Sequence, residues 1–241
     1  MVFSFLPEIP VKNAINHENA FISLFDQTAR YHHRYQVFED FISCSVIALQ
    51  NGLQFCDRRE QKYMRIVSKY QKPDVTNMAQ LLAHVVSGLE ESPGDFLGRV
   101  FMLLELGDKY RGQFFTPWSV GVMMAQLQLG NVEEQFRDKP FITLSEPTCG
   151  AGCMALAFAS VLREVGFPPH RRMWVSATDI DPLAAGMAYI QLSLCGVAGE
   201  VVIGNALSDE RRRVLYTPMH YWGGWPYRLR SRINRDSAVA V

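Results

Sequence analysis

Two short stretches of this chain have the residue types and spacing to do chemistry, and each follows an apolar run. The first is Glu146-Pro-Thr-Cys-Gly-Ala-Gly152. Gly150 and Gly152 tolerate positive φ and let a ligand approach the main chain, and a helix starting there would point free N–H groups at whatever docks. A dinucleotide turn would read G-x-G-x-x-G; here an acid and a proline precede the glycines, and Ala155 takes the third glycine's place. An acid at that point favours a ligand carrying an amine or sulfonium cation over a pyrophosphate. The second stretch is Thr178-Asp-Ile-Asp-Pro182. Asp179 at a strand tip can accept both hydrogens of a ribose diol, whereas Asp181 before Pro182 reads as an N-cap with proline at the first helical position.

Other reactive residue types do not converge in the sequence. Cys44, Cys56, Cys149, Cys153 and Cys195 are odd in number and form no CxxC pair, which argues for reduced thiols and against a disulfide frame or a zinc site. His32 and His33 are adjacent, so on a helix they point about 100° apart and cannot share a metal on one face. They read as surface or capping residues, and no metal site is expected.

The elements that must position these stretches follow from periodicity. Strands are predicted at 141–145, 173–178 and 200–203, with a small-residue helix over 150–165 and another helix over 181–195. Strand, helix, strand, helix, strand is the pattern of a parallel sheet with right-handed crossovers, whose ligands sit at the carboxyl ends of the strands. Upstream, glycine is nearly absent before Pro93 and Gly94. Helix-spaced apolar residues recur over 11–30, 32–51, 57–70 and 74–91, and in the second of these Val37, Phe41, Ser45 and Ala48 line one face. The predicted fold is α/β: a helical bundle over 1–93, a Rossmann-like ligand-binding domain over 94–207, and an arginine and aromatic tail over 208–241.

Composition sets the outer limits. The 241 residues carry 24 Lys plus Arg against 24 Asp plus Glu, and 48% are apolar. This is a globular composition that excludes extensive disorder and a uniformly basic nucleic-acid coat. No apolar run reaches the ~18 residues of a membrane span, and residues 1–10 lack a basic n-region. A soluble, cytoplasmic chain is expected.

Between bundle and sheet lies Arg111-Gly-Gln-Phe-Phe-Thr-Pro117, with Thr116 and Pro117 predicted as the cap and first residue of a helix over 118–129. Asp95-Phe-Leu-Gly98, Gly112-Gln-Phe-Phe-Thr-Pro117, Glu146-Pro-Thr-Cys-Gly-Ala-Gly152 and Asp179-Ile-Asp-Pro182 occur in this order. Together they resemble the adenine-N6 DNA methyltransferases, especially the modification subunits of type I restriction systems and their plasmid and phage relatives. The resemblance covers about residues 95–207 and implies S-adenosylmethionine as cofactor. It implies that Gln113, Phe115, Thr116 and Pro117 close over that cofactor. Glu146, Thr148 and Gly150 would hold its methionine part, with Asp179 on the ribose and Ile180 beside the adenine. Asn205 and Ala206 stand after the third strand, where the family usually has an acid near the adenine.

Catalysis is where the chain departs from the family. No NPPY or NPPF occurs, although a flipped adenine needs its amine held by an amide and its ring stacked on an aromatic. The nearest match is Thr217-Pro-Met-His-Tyr221 after a fourth apolar run, 214–216, which makes Thr217, Pro218 and Tyr221 the candidate catalytic residues. A hydroxyl lacks the reach and fixed plane of an amide. The expectation is therefore an S-adenosylmethionine-binding methyltransferase-like protein with a shortened sheet and weak or absent activity. The alternatives are an active enzyme using the Thr217-Pro218-Met219 loop, or an antirestriction or regulatory factor of a mobile element that binds a restriction-modification subunit. Residues 204–241 carry seven arginines against three acids, interleaved with Tyr221, Trp222, Trp225 and Tyr227. Such a mixture suits DNA, particularly single strands, and suits equally a protein interface with a subunit or a second copy of the chain.

Overall fold

The computed structural model describes residues 15–107 and 115–239. Five helices come first: α1 (His17–Phe25), α2 (Arg34–Leu53), α3 (Asp57–Val67), α4 (Lys72–Glu91) and α5 (Phe96–Leu103). Their starts are set by local chemistry. Asn16 caps α1 by accepting the Asn19 N–H at 2.9 Å, Pro73 sits in the first turn of α4, and Asp95 caps α5 through the Gly98 N–H at 2.9 Å. Helix α2 is buried over a wider arc than its single predicted stripe. Val37, Phe38, Phe41, Ile42, Val46 and Ile47 are all inside, while Ala48 faces solvent. The reason is that α2 packs on α3 along one side and on a helix of the sheet layer along another.

Then come α6 (Trp118–Leu129), α7 (Val132–Arg137), β1 (Ile142–Glu146), α8 (Cys153–Glu164), α9 (Pro169–Arg172), β2 (Met173–Asp179), α10 (Pro182–Leu194), β3 (Ala198–Asn205), β4 (Glu210–Tyr216), α11 (Pro218–Trp222) and α12 (Trp225–Val239). The sheet order is β1-β2-β3-β4. The first two pairings are parallel, with Leu144 opposite Val175 and Ala177 opposite Val201, and α8 and α10 form the crossovers. The third is antiparallel: β4 returns along β3, Tyr216 opposite Glu200 and Glu210 opposite Asn205. This corrects two expectations. The fourth strand, after which the catalytic loop is expected, is a hairpin partner of β3, and 208–241 is no tail, since it contributes a sheet strand and two helices.

Val175, Ala177, Val201 and Leu215 bury one face of the sheet beneath α10 and α8. The same buried cluster runs from Phe21 in α1 through α2, α4 and α5 to Leu215, so the helices of 17–103 and the sheet share one core across position 93. A smaller cluster at the amino ends of the strands gathers Phe141, Ala198 and Trp225. Among the described residues no helix is long and apolar enough to cross a membrane.

Candidate functional site

The glycine turn leaves β1 after Glu146 and enters α8 at Cys153. Gly150 and Gly152 both have positive φ, +53° and +93°, a conformation costly for side-chain-bearing residues. Space enforces the same choice. A Cβ on Gly150 would lie 3.0 Å from the Phe115 ring, and one on Gly152 would lie 3.3 Å from Ala188. The turn is tied to the second strand twice, by the Cys149 N–H donating to the Thr178 carbonyl at 2.8 Å and by the Gly150 N–H donating to Asp179 Oδ2 at 2.8 Å.

Asp179 and Asp181 divide their work by geometry. Asp179 Oδ1 accepts the Asp181 N–H at 2.9 Å and Oδ2 the Gly150 N–H, so each of its oxygens holds a backbone donor, and a carboxylate oxygen can accept a second. Asp181 accepts the Leu183 N–H at 2.9 Å and caps α10, with Pro182 at its first turn, as expected. Burial pushes the Asp179 carboxyl above its ordinary value, and its backbone hydrogen bonds pull the other way. Burial likewise raises Glu146, opposed by the Thr148 backbone N–H. No basic side chain among the described residues lies within ion-pair range of either acid. Half-buried carboxylates without a cation suit a ligand that brings positive charge.

The segment before α6 closes on this turn. Phe115 packs at a tilt on Phe101, 5.4 Å between centroids, and covers Gly150. The Thr116 carbonyl accepts the Cys153 thiol at 3.3 Å, and Gly121 of α6 lies against Cys153 and Ala157. Pro117, not Thr116, occupies the cap position of α6, and no side chain caps that helix; the expected Thr116 cap is one residue early. Gln113 lies outside the described residues.

The remaining cofactor candidates reach the same end of the sheet. Ile180 is 59% exposed at the tip of β2, and Arg212 donates to its carbonyl at 3.1 Å. Asn205 ends β3, where its side-chain carbonyl accepts the Leu207 N–H at 3.0 Å. Ala206 and Thr148 are exposed.

The three catalytic candidates are not brought there. Thr217 is fully buried, and its hydroxyl accepts the Gly199 N–H at 3.0 Å and donates to the Gly199 carbonyl at 3.4 Å. Gly199 begins β3, so Thr217 stands at the amino end of the parallel strands, about 20 Å of strand from Asn205 at ~3.3 Å per residue. Pro218 is buried as the first residue of α11, and the Tyr221 ring leans on Tyr216 and His220. The antiparallel return of β4 is the cause: a loop after a parallel strand would emerge beside Gly150, but this one emerges at the opposite end.

One positioning group escaped the sequence reading. Gln191, completely buried in the apolar helix α10, accepts the Leu97 N–H at 2.8 Å and donates from Nε2 to Asp95 Oδ1 at 2.9 Å and to the Ala151 carbonyl at 2.8 Å. It joins the start of α5 to the glycine turn. Burial raises the Asp95 carboxyl, while the Gln191 bond holds it down. A lone amide in a run of buried alanines and leucines was the available signal.

No protein-family model matches this chain, and no curated protein sequence matches it. Among solved structures, it is similar to a candidate class I S-adenosylmethionine-dependent methyltransferase from Listeria monocytogenes, at 16% identity and a TM-score of 0.44, over 80% of this chain and 55% of the other. It is also similar to the methyltransferase subunit of a type I restriction-modification system from Streptococcus thermophilus, at 18% identity and a TM-score of 0.31, over 75% of this chain and 41% of the other. The chain thus spans about half the length of the solved proteins it resembles.

Proposed function

We propose that this chain binds S-adenosylmethionine at the carboxyl ends of β1 to β3, in the manner of a DNA adenine-N6 methyltransferase, and that alone it transfers methyl groups slowly or not at all. The observation that carries the reading is the junction of Phe115, Gly150 and Asp179, which joins three separate sequence stretches at one end of the sheet. The unpaired acids fit the group's charge. Glu146 and the main chain around Thr148 and Gly150 would receive the methionine amine and sulfonium, Asp179 the ribose hydroxyls, and Ile180 and Asn205 the adenine, beneath Gln113 to Pro117. Bound there, the cofactor supplies an electrophilic methyl group; the chain's own residues hold and orient it. In this reading the helices of 17–103 support the cofactor end of the sheet through their shared core, and the exposed faces of α11 and α12 serve recognition.

Slow transfer follows from Thr217. Its hydroxyl is committed to Gly199 at the far end of the sheet, so Thr217 is not placed to hold a target base at the cofactor end, and each missing oriented contact costs about 10² to 10³ in rate. A second reading, an antirestriction or regulatory factor docking on a restriction-modification subunit, is favoured by exposed aromatics on α11 and α12: Tyr221, Trp222 and Tyr227 are 53%, 72% and 78% exposed.

Calorimetric titration with S-adenosylmethionine and its demethylated product tests the cofactor reading. Micromolar binding weakened about 5- to 150-fold in Asp179→Ala supports it, and absence of binding to the folded wild type overturns it. Tritium transfer to double- and single-stranded DNA tests activity, and robust turnover by the isolated chain would refute the slow-transfer reading.

A further inference from the structure

A cleft of about 450 Å³ opens at the amino end of the sheet, between the residues leading into β1 and the first turns of α12. That volume lies within the range of small-molecule sites. Lys139 lines one side, with Tyr227, Arg228 and Arg232 on the other and Phe141 at the floor. Three cationic side chains face a single acid, Asp138, and Arg171 and Arg172 stand behind them in α9.

Arg228 and Arg172 are held by rings and carbonyls. The Arg228 guanidinium stacks over Trp225 at 3.9 Å and over Phe141 at 5.2 Å, and Arg232 lies 5.5 Å over Phe141. Arg228 donates one nitrogen to the Arg171 carbonyl at 2.5 Å, and Arg172 donates to the Pro140 carbonyl at 3.1 Å. No carboxylate among the described residues lies within ion-pair range of Lys139, Arg171, Arg172 or Arg228. Burial, with Arg172 beside it, lowers the Arg228 guanidinium's pKa. Arg228, stacked in place at the cavity with one nitrogen on a carbonyl, presents the planar fork that matches a phosphate, and the exposed Lys139 adds a second positive charge. Tyr227 stands on the same cleft with 78% of its surface open, a platform on which a base can stack.

We propose that this cleft binds a phosphate ester carrying an aromatic base, at the opposite end of the sheet from Gly150 and Asp179. Its phosphate lies between Lys139 and Arg228, and its base on Tyr227. The proposal does not depend on the cofactor reading. The same chemistry has two sources, a free nucleotide or a segment of single-stranded DNA, and the test separates them.

The experiment is fluorescence anisotropy of a labelled oligothymidylate of about 12 nucleotides at low salt, with thymidine monophosphate and inorganic phosphate as competitors. Saturable binding is expected, weakened about tenfold or more in Arg228→Gln and in Lys139→Gln through loss of a charge-assisted contact. In Tyr227→Ala, base-bearing ligands should weaken while competition by inorganic phosphate stays unchanged. Asp179→Ala should bind the oligonucleotide as wild type does, so failure of the cofactor reading leaves this result intact. Equal competition per nucleotide by the monophosphate identifies a free nucleotide as the ligand; competition by oligomer alone identifies the nucleic acid. Lys139 is exposed, so Lys139→Gln carries the test if Arg228→Gln melts early. Absence of saturable binding of either probe, or binding that both substitutions leave unchanged, overturns the proposal.

Discussion

At the carboxyl ends of β1 and β2, Glu146 and Asp179 sit half-buried with no basic side chain beside them among the described residues, while at the amino ends Arg172, Arg228 and Arg232 crowd around Phe141, Phe167 and Trp225. The two ends are built from the same strands but stabilise their charges differently. At the acidic end the main chain does it: glycine and aspartate N–H groups point at Asp179. At the basic end rings and carbonyls do it. Among the described residues, neither Glu146 and Asp179 nor Arg172 and Arg228 lie within ion-pair range of an opposite charge, and the two proposed sites, at opposite ends of the sheet, would not compete.

If the ends are independent, damage to one should spare the other. The largest effect is expected for Trp225→Ala, which empties the cluster with Phe141 and Ala198; it should cost about 3–5 kcal/mol of stability, read by urea unfolding, and leave cofactor affinity of the folded fraction unchanged. Gln191→Leu should come next. It leaves the Leu97 N–H, the Ala151 carbonyl and the Asp95 carboxyl without their buried partner, costing about 3 kcal/mol, and because it loosens the glycine turn it should weaken S-adenosylmethionine binding, which Trp225→Ala does not.

Asp179→Ala should lower cofactor affinity by about 1–3 kcal/mol, whereas Asp181→Ala should cost about 1 kcal/mol of folding stability through the lost cap and bind nearly as wild type. Equal calorimetric titrations for the two variants would erase the distinction between ligand group and cap. Thr217→Val should destabilise by about 1–2 kcal/mol, since the Gly199 N–H loses its acceptor, with no change in cofactor binding. Thr217→Asn should likewise destabilise; a gain of methyl transfer in that variant would return Thr217 to the catalytic machinery.

The smallest effect concerns pH. Glu146 and Asp179 titrate above their ordinary values of 4.5 and 3.8 in the fold, so the free protein binds more protons than the unfolded chain in that window. Their contribution to stability is therefore present below the ordinary values and lost as pH rises through the raised ones. A cationic ligand reverses the preference: its affinity should climb over the same window, with protons released on binding. Calorimetry in two buffers of different ionisation enthalpy measures that release, and no release would argue against a cation beside Glu146.

Much of the architecture was legible in residue order. The apolar runs and their flanking helices place three parallel strands within one or two residues, because a buried parallel strand and its crossover helix leave strong local periodicity. Asp181-Pro182 reads as a helix start for reasons contained in four residues. The glycine turn and Asp179 were likewise visible, since positive φ and a strand-tip acid are local requirements. Two readings failed for the same reason. A short run after β3 carries no mark of direction, so whether β4 continues the parallel order or folds back depends on which edge it finds. The tail's arginines did not announce that Arg211 would pair with Glu200 across the hairpin at 2.8 Å, or that Arg213 would reach Gln50 in α2 at 2.9 Å.

The sequence by itself determined where backbone and solvent leave one local answer: the Asp181 cap, the glycine conformations, the apolar faces, and an acid at the end of β2. Only the tertiary structure decided which of those pieces meet. Thr217 became a buried staple because β4 turned back, Gln191 became a hub because α5 and the glycine turn both fall within its reach, and the basic cleft arose because α12 docks on the residues leading into β1. Each depends on partners far apart in the chain, and the free energy that selects them comes from burial shared across the fold, which no short stretch of residues encodes alone.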